Sequence, residues 1–180
     1  MAEPRLEIRA LGPDDAPAYK ALRDAMLAAH PDAFTSDTEA ESVKPASHYL
    51  ARFAASGGGL VPFTLGAFAD GRLVGAVTCE RDPRVKVRHL GHVAGMMVEG
   101  PLQGRGIGRA LLAACIARAR DDGGIVKLTL NVTSTNAAAL HLYESLGFRR
   151  YGRLERAIRV GGRYHDKDHL ALDLDRHAQP

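Results

Sequence analysis

The first third of the chain begins with a strand pattern and continues with helical ones. Residues 6–10 alternate apolar and polar side chains, which predicts an edge strand. Apolar residues then recur every three or four positions and predict a helix that ends near His30-Pro31. A polar, proline-bounded segment over 31–45 predicts a surface loop, and residues 46–55 predict a second helix. The apolar positions of the first helix are Ala18, Leu22, Met26 and Ala29.

Three strands follow in the middle of the chain. Two β-type runs over 61–69 and 73–79 flank Asp70-Gly71, a dipeptide typical of a two-residue hairpin turn. A longer strand is predicted over 87–98, and its two internal glycines indicate a bulge or the close approach of another group. These glycines are Gly91 and Gly95.

The second half of the chain alternates helical and strand patterns. The predicted elements are a helix over 106–121, a strand over 125–131, a helix over 136–146 and strands over 148–156 and 163–173. A strand that follows its predecessor through a helical crossover is expected to lie parallel to it. The pattern therefore predicts an α/β arrangement after an antiparallel first half.

Size and charge limit the possibilities without naming a partner. A chain of 180 residues with 46% hydrophobic side chains can bury one substantial core, so we expect one domain over residues 1–180. The net charge is only +3, and the basic residues form no dense run. Binding to nucleic acid is therefore not expected, although an arginine patch remains a rival interpretation. That patch would comprise Arg105, Arg109, Arg149, Arg150 and Arg153.

The cysteines and the apolar segments point to a reducing, aqueous compartment. Cys79 and Cys115 have neither CxxC nor zinc-site spacing, so we expect two buried thiols and no metal. The N-terminus lacks a signal-peptide pattern, and the longest apolar stretch, 110–117, is too short to cross a bilayer. We therefore expect a cytoplasmic protein that does not bind membranes.

The segment Gln103–Arg109 carries the strongest chemical signal in the chain. Its three alternating glycines let the backbone approach a ligand, and the following helix begins with unpaired N–H groups that suit a phosphate. A Walker loop is disfavoured because Arg109-Ala110 stands where Lys-Ser or Lys-Thr is required. The dinucleotide fingerprint GxGxxG also fails, because the spacing here is GxGxG.

Two motifs together resemble the GNAT superfamily of N-acetyltransferases. The pattern Gln-x-x-Gly-x-Gly that begins at Gln103 resembles motif A of that family. A second pattern, N-x-x-A-x-x-x-Y-x-x-x-G-F, resembles its next signature and comprises Asn136, Ala139, Tyr143, Gly147 and Phe148. The resemblance covers roughly the whole chain. It implies a mixed α/β fold with a mostly antiparallel sheet, one splayed parallel strand pair and helices on both faces.

The resemblance also implies an activity and a set of site residues. The activity is transfer of an acetyl group from acetyl-CoA to a primary amine by direct attack. Tyr143 is the implied general acid, and His92 is our first candidate for the general base. Other candidates for the base are Glu80, Glu99, His165 and Asp166. The implied cofactor-binding residues are Met97, Val98, Gln103, Gly104, Arg105, Gly106, Gly108, Arg109, Asn136 and Tyr143.

The sequence does not decide the identity of the acceptor or the oligomeric state of the protein. In the resembling family the loop over 30–45 and the last two strands face the acceptor, which is a small-molecule or a protein amine. The loop acids are Asp32, Asp37, Glu39 and Glu41, and the strand residues are Tyr164, His165 and Asp166. A homodimer is also expected from the resemblance. A non-catalytic sensor that binds acyl-CoA on the same scaffold is the alternative function.

Overall fold

The computed structural model, which describes residues 5–53 and 61–174, contains one seven-stranded sheet. The strand order is β1-β2-β3-β4-β5-β7-β6, and β4 and β5 form the parallel pair among otherwise antiparallel neighbours. This arrangement confirms the predicted mixed α/β fold. The strands are β1 (Leu6–Ala10), β2 (Phe63–Ala69), β3 (Arg72–Arg81), β4 (Leu90–Val98), β5 (Lys127–Thr133), β6 (Arg149–Val160) and β7 (Arg163–Asp173).

The helices lie close to their predicted positions, with two differences. The helices are α1 (Ala16–Ala29), α2 (Thr38–Ser42), α3 (Ile107–Asp121) and α4 (Ala137–Ser145). The predicted loop over 31–45 contains α2, which begins because the Asp37 carboxylate accepts a hydrogen bond from the Ala40 amide at 2.9 Å. No helix of the described ranges is long and apolar enough to cross a membrane.

The second helix predicted over 46–55 is wrong in type over the described part. Ala46–Arg52 forms a 3₁₀ helix that follows Pro45, and the rest of the prediction extends beyond residue 53, outside the described residues. Of its three apolar residues predicted to point inward, Tyr49 and Phe53 are almost fully buried, whereas Leu50 is 39% exposed. The tighter 3₁₀ turn thus buries two of the three predicted side chains and turns Leu50 outward.

The hairpin was predicted correctly, and the strand after it is shorter than expected. Asp70 and Gly71 both have positive φ, at 49° and 82°, as a type I′ turn requires. β4 begins at Leu90, because the Val87 and Leu90 amides donate to carbonyls three residues earlier and form turns. β5 is shifted by two residues relative to its predicted range and ends at Thr133.

Two hydrophobic cores form on opposite faces of the sheet. On one face α3 packs Leu111, Leu112 and Ile116 against β2, β3 and β4. On the other face α1 packs Tyr19 and Leu22 with Tyr49, Phe53 and the side chain of Met97. Helices therefore cover both faces, as predicted.

The two cysteines belong to the α3-side core. Both thiols are free and fully buried, as predicted. Contact with the Cys79 thiol and burial raise the pKa of Cys115. The Cys115 thiol is therefore protonated at neutral pH, and both cysteines are packing groups of this core.

Candidate active site

The parallel strands β4 and β5 separate after three paired positions. His92 and Thr129 form the last pair, although β4 continues to Val98 and β5 to Thr133. The separation coincides with a bulge in β4: between the pairs Ala76–Met97 and Thr78–Ala94, β3 advances two residues while β4 advances three. Gly95 lies inside this step with φ at 59°, a conformation that favours glycine. Of the two interpretations left open for this glycine, a bulge or the close approach of another group, the bulge is the one observed.

The separation opens a cavity of about 560 Å³. Beyond His92 the edge of β4 that faces β5 has no ladder partner among residues 5–53 and 61–174, so its backbone groups can bond a ligand. Polar and apolar residues from four parts of the chain line this cavity. They are Met26, His30, Asp32, Ala33 and Phe34; residues 93–98; Gln103, Gly104, Gly106, Gly108 and Arg109; and Asn131, Val132, Thr133, Thr135, Asn136, Ala138, Ala139, Leu142 and Tyr143.

The glycine-rich loop presents bare amides at one end of the cavity. Gly104 and Gly106 have φ of 76° and 80°, and a side chain on either would meet open space, so conformation explains these glycines. Gly106 is the N-cap of α3, and the first intrahelical bond runs from the Ala110 amide to its carbonyl at 3.0 Å. The amides of residues 107–109 therefore lack helical partners. In the described part of the chain α3 has no capping side chain, and its first turn contains no acid.

Gly108 has a different role from the other two glycines. A Cβ atom there would lie 3.3 Å from Met96 Cε and 3.4 Å from Leu142 Cδ2, without a positive φ. The missing side chain therefore lets the first turn of α3 approach both β4 and α4.

Three polar side chains of the loop were predicted to bind the cofactor, and two of them are engaged within the protein. Gln103 Nε2 donates to the Val98 carbonyl at 2.9 Å, which ties the loop to the end of β4. Arg109 Nη1 donates to Ser145 Oγ at 2.8 Å and joins the first turn of α3 to the last turn of α4. Arg105 is exposed on the loop. Hydrogen bonds to β4 and α4 thus hold the loop in its conformation.

Met97 and Val98 line the cavity at the end of β4, as the prediction requires. Their side chains are 3% and 8% exposed and belong to opposite cores, Met97 to the α1 side and Val98 to the α3 side. Their main-chain groups are consequently what these two residues offer to a ligand.

Asn136 and Tyr143 bring α4 to the cavity. The Asn136 side chain accepts a hydrogen bond from the Ala139 amide at 3.1 Å, so this residue caps α4 and lines the cavity at once. Tyr143 is 7% exposed, and burial raises its pKa to about 12. The phenol is therefore protonated at neutral pH and can donate a proton into the cavity.

His92 lies one step outside the cavity, on the last paired position of β4. Thr129 Oγ1 donates to the Gly91 carbonyl at 3.3 Å, so it accepts from His92 Nδ1 at 3.1 Å. This pairing leaves the lone pair on Nε2. Burial lowers the pKa of His92, although the Glu80 charge opposes the shift. The imidazole is therefore neutral at pH 7 and able to accept a proton, but it does not line the cavity wall.

The other candidate bases are also absent from the cavity lining. Glu80 pairs with Arg52 at 2.7 Å, and Glu99 pairs with Arg72. The Asp166 carboxylate accepts from the Arg156 amide at 2.9 Å, in the β6–β7 hairpin. His165 lies on the same hairpin, opposite Ile158.

Of the four acids predicted to meet the acceptor, only Asp32 lines the cavity. Asp37 caps α2, and Glu41 is buried against Arg23, Lys44 and Tyr49. The acidic composition of this loop therefore reflects local structure more than ligand binding. Sequence reasoning missed Met26, Phe34, Asn131 and Thr133, because these residues come from α1, the segment after it and β5, which meet at the cavity only in the tertiary structure.

The arginine patch considered above is partly neutralised. Arg153 and Arg150 pair with the Asp168 carboxylate at 2.6 and 3.4 Å, and the Arg153 guanidinium holds the pKa of Asp168 below its usual value. Within residues 5–53 and 61–174, no three His, Cys, Asp or Glu side chains gather in a way that could hold a metal ion.

Comparison with known proteins places residues 19–148 under a family model described as the acetyltransferase (GNAT) family. The chain is 42% identical over 99 residues to the N-alpha-acetyltransferase RimI of Mycobacterium tuberculosis, an alignment that covers 54% of this chain. It is 38% identical over 78 residues, 43% of this chain, to the L-amino acid N-acyltransferase MnaT of Escherichia coli. These alignments span 59% and 45% of the two relatives, so the chain matches about half of each.

Solved structures match over almost the whole chain. An acetyltransferase of the GNAT family from Streptococcus pneumoniae superposes with a TM-score of 0.83 at 28% identity and covers 94% of this chain and 99% of its own. The structure of yncA from Salmonella typhimurium with its cofactor acetyl-CoA superposes with a TM-score of 0.78 at 25% identity, covering 97% of each chain. With its splayed strands, its glycine-rich helix start and a family model matched over most of its length, the chain belongs to the acetyltransferase (GNAT) family.

Proposed function

We propose that this protein transfers the acetyl group of acetyl-CoA to a primary amine by direct attack. The observation that carries the proposal is the unpartnered edge of β4 beyond His92, which leads to the bare amides at the start of α3. An extended pantetheine arm suits the first feature, because it can bond a strand edge as another strand would. A diphosphate suits the second, because helix N-termini bind anions. Bound acetyl-CoA would supply the activated acetyl group.

The acid and base roles are assigned to Tyr143 and His92. The amine nitrogen bonds to the acetyl carbon, the carbon–sulfur bond breaks, and the sulfur keeps the bonding electron pair. Tyr143 donates a proton to the leaving sulfur, since it lies in the cavity wall and its raised pKa keeps the phenol protonated until the thiolate forms. His92 Nε2 takes the proton that the amine loses through a water, because the imidazole does not line the cavity.

The acceptor class is proposed from the relatives and the cavity together. One relative is named for L-amino acids and another for N-alpha acetylation, and both names describe a primary amine. The cavity reaches from the glycine-rich loop to Asp32 and Phe34, so an amine can approach from the side opposite the loop. A small-molecule amine and a protein N-terminus both fit this description.

We further propose a cytoplasmic homodimer. The two reduced, buried thiols suit a reducing compartment. β6 is an edge strand of twelve residues, and the exposed side chains Tyr151, Leu154 and Tyr164 on the β6–β7 hairpin offer apolar surface to a second copy. Light-scattering mass measurement tests the dimer, and a monomeric mass at micromolar concentration would contradict it.

The proposed function is tested by binding followed by turnover. Calorimetric titration measures the affinity of the protein for acetyl-CoA. Release of the coenzyme A thiol in the presence of a panel of amines measures the rate of acetyl transfer. We expect wild-type activity to fall on acidification through a pKa below 6.5, as His92 becomes protonated. In His92→Gln this loss of activity at acid pH should disappear. Tyr143→Phe should lower kcat roughly a hundredfold with little change in acetyl-CoA affinity.

Each outcome separates a different part of the proposal. Tight acetyl-CoA binding without amine-dependent thiol release would support the non-catalytic sensor instead. An unchanged pH profile in His92→Gln would remove His92 as the base and leave the transferase assignment in place.

A further inference from the structure

Lys167 is a half-buried cation whose bond partner is a hydroxyl. It lies on β7, and its Nζ donates to Thr35 Oγ1 in the segment that follows α1. Burial lowers its pKa, with no carboxylate opposing the shift, and no ion pair joins it to an acid of the described residues. Removing an ammonium from water without a counter-ion costs free energy, so this site is suited to an incoming anion.

Lys167 does not itself line the cavity, but residues next to it on two different elements do. Its strand partner on β5 is Thr133, which lines the cavity, and its bond partner Thr35 follows Phe34, which also lines it. Thr133 Oγ1 in turn donates to the Asp32 carbonyl at 2.6 Å. The ammonium is thus held at the junction of β7, β5 and the segment after α1, on the acceptor side.

The strand register shows which sheet face carries this cation. Val93 and Val132 belong to the α3-side core. Because side chains alternate along a strand, their neighbours His92 and Thr133 project to the opposite face, which α1 covers in part. Lys167 is paired with Thr133 and therefore projects to the same face. Paired residues share a face, so His169, the partner of Asn131, also lies there. Helix α1 packs on β3 and β4, which leaves this part of the face without a helix of the described residues over it.

The acids near this face do not neutralise Lys167. Glu80 is paired with Arg52 at 2.7 Å, and Asp168, next to Lys167 in sequence, pairs with arginines on the opposite face. Asp32 lines the cavity and forms no ion pair with the lysine. The charges facing the acceptor side therefore include a cation at Lys167 and an anion at Asp32.

We propose that Lys167 binds a carboxylate of the acceptor, so that the preferred acceptor is a free amino acid that carries its carboxylate beside the reacting amine. This inference deepens the proposed function and rests on it. The amine nitrogen bonds to the acetyl carbon, coenzyme A leaves with the bonding electron pair and a proton, and the acceptor carboxylate stays unchanged on the lysine. Lys167 is a specificity-determining residue in this step.

A purely structural role for Lys167 makes a different prediction. The bond to Thr35 helps to hold the segment after α1, and Arg23 holds the next residue, Ser36, through a 2.8 Å bond from Nη2. Loss of such an anchor would weaken binding of every acceptor alike. Recognition of a carboxylate instead changes the ratio between charged and uncharged acceptors. Thr35→Val is the matched control, because it removes the anchor and keeps the cation.

The experiment compares three forms of one acceptor: L-leucine, L-leucinamide and 3-methylbutylamine. Thiol release with acetyl-CoA gives kcat and KM for wild type, Lys167→Met, Lys167→Arg and Thr35→Val, and thermal melts check folding. We expect wild type to prefer leucine over the other two by roughly tenfold or more in KM, as for a hydrogen bond to a charged group. Lys167→Met should lose this preference with little change in kcat, while Lys167→Arg and Thr35→Val should retain most of it.

Other results would overturn the inference. Equal use of leucine and its two uncharged forms by wild type, or a preference that survives in Lys167→Met, would exclude carboxylate binding at Lys167. Either result leaves the proposed transferase standing, because transfer to an amine is observed. Transfer to a peptide N-terminus but to none of the leucine forms would also overturn it. Acetyl-CoA binding without transfer to any amine would contradict the inference and the proposed function together.

Discussion

The two ends of the cavity are built in different ways. The end proposed for the cofactor is made of main-chain amides from one continuous segment, Gln103–Arg109, aided by the nearby helix α4. The acceptor end is made of side chains from distant segments: Thr133 and Asp32 are 101 residues apart, and Lys167 and Thr35 are 132 apart. Local backbone conformation forms the first end, and long-range packing forms the second.

This difference indicates how the protein can combine a common cofactor with its own acceptor. Bare amides at a helix start depend on a few glycines, so many surrounding substitutions leave them intact. The acceptor end depends on ion pairs and hydroxyl contacts between α1, the segment after it and β7, where one substitution changes charge or shape. The acceptor end should therefore be the more sensitive to acid and to loss of a single partner.

The largest effect is expected from breaking the buried ion pair beside the acceptor end. Arg23 is 5% exposed, and its Nε donates to Glu41 at 3.1 Å. Arg23→Met removes the buried cation that pairs with the Glu41 carboxylate. It should reduce the free energy of unfolding by about 3 kcal/mol, because a buried charge then lacks its main partner. Urea denaturation at pH 7 measures this change.

The control for that variant is the partly exposed partner of the same carboxylate. Lys44 also bonds Glu41, but its side chain is 35% exposed, so Lys44→Met should cost about 1 kcal/mol or less. Equal losses in the two variants would show that burial of the pair is not what stabilises this end.

Acid should weaken the same cluster by a similar amount. Burial alone would raise the pKa of Glu41, but hydrogen bonds from Lys44, Tyr49 and Arg23 lower it to about 2. A carboxylate with a depressed folded-state pKa adds stability above its unfolded value near 4.5 and loses it as the pH falls toward 2. We expect this group to contribute about 3 kcal/mol at pH 7, most of it lost by pH 2.

Denaturation from pH 6 to pH 2 checks this linkage, with Glu41→Gln as the comparison. The Gln variant does not titrate, so its stability at pH 6 should be lower and should fall less on acidification. Parallel pH curves for wild type and variant would contradict the depressed pKa.

The smallest effect is expected at the cofactor end. A valine at position 106 is strained at φ of 80° by about 1–2 kcal/mol, so Gly106→Val should shift the loop amides and weaken acetyl-CoA binding roughly tenfold. Gly100→Ala is the matched control, because that glycine has neither a positive φ nor a close neighbour. Calorimetric affinities that are the same for wild type and Gly106→Val would remove the loop as the diphosphate site.

Sequence alone determined the features that depend on neighbouring residues. The Asp70-Gly71 hairpin and the glycine start of α3 follow from local conformational preference, and each lies where predicted. On α1, Leu22 and Met26 are buried as predicted, whereas Ala18 and Ala29 are exposed. The helical crossover between β4 and β5 predicted that these strands are parallel, and the family resemblance added that the pair is splayed.

Tertiary structure decided what depends on contacts between distant residues. The acids after α1 are dispersed between a helix cap, a buried ion pair and the cavity wall, and no local pattern distinguishes these fates. His92 has strand neighbours that define its tautomer and still lies outside the cavity, because the strands separate just beyond it. Lys167 became a candidate only when β7 paired with β5 and brought its charge beside Thr35. Side-chain burial and charge pairing are properties of the packed chain, so they are settled by residues far apart in sequence.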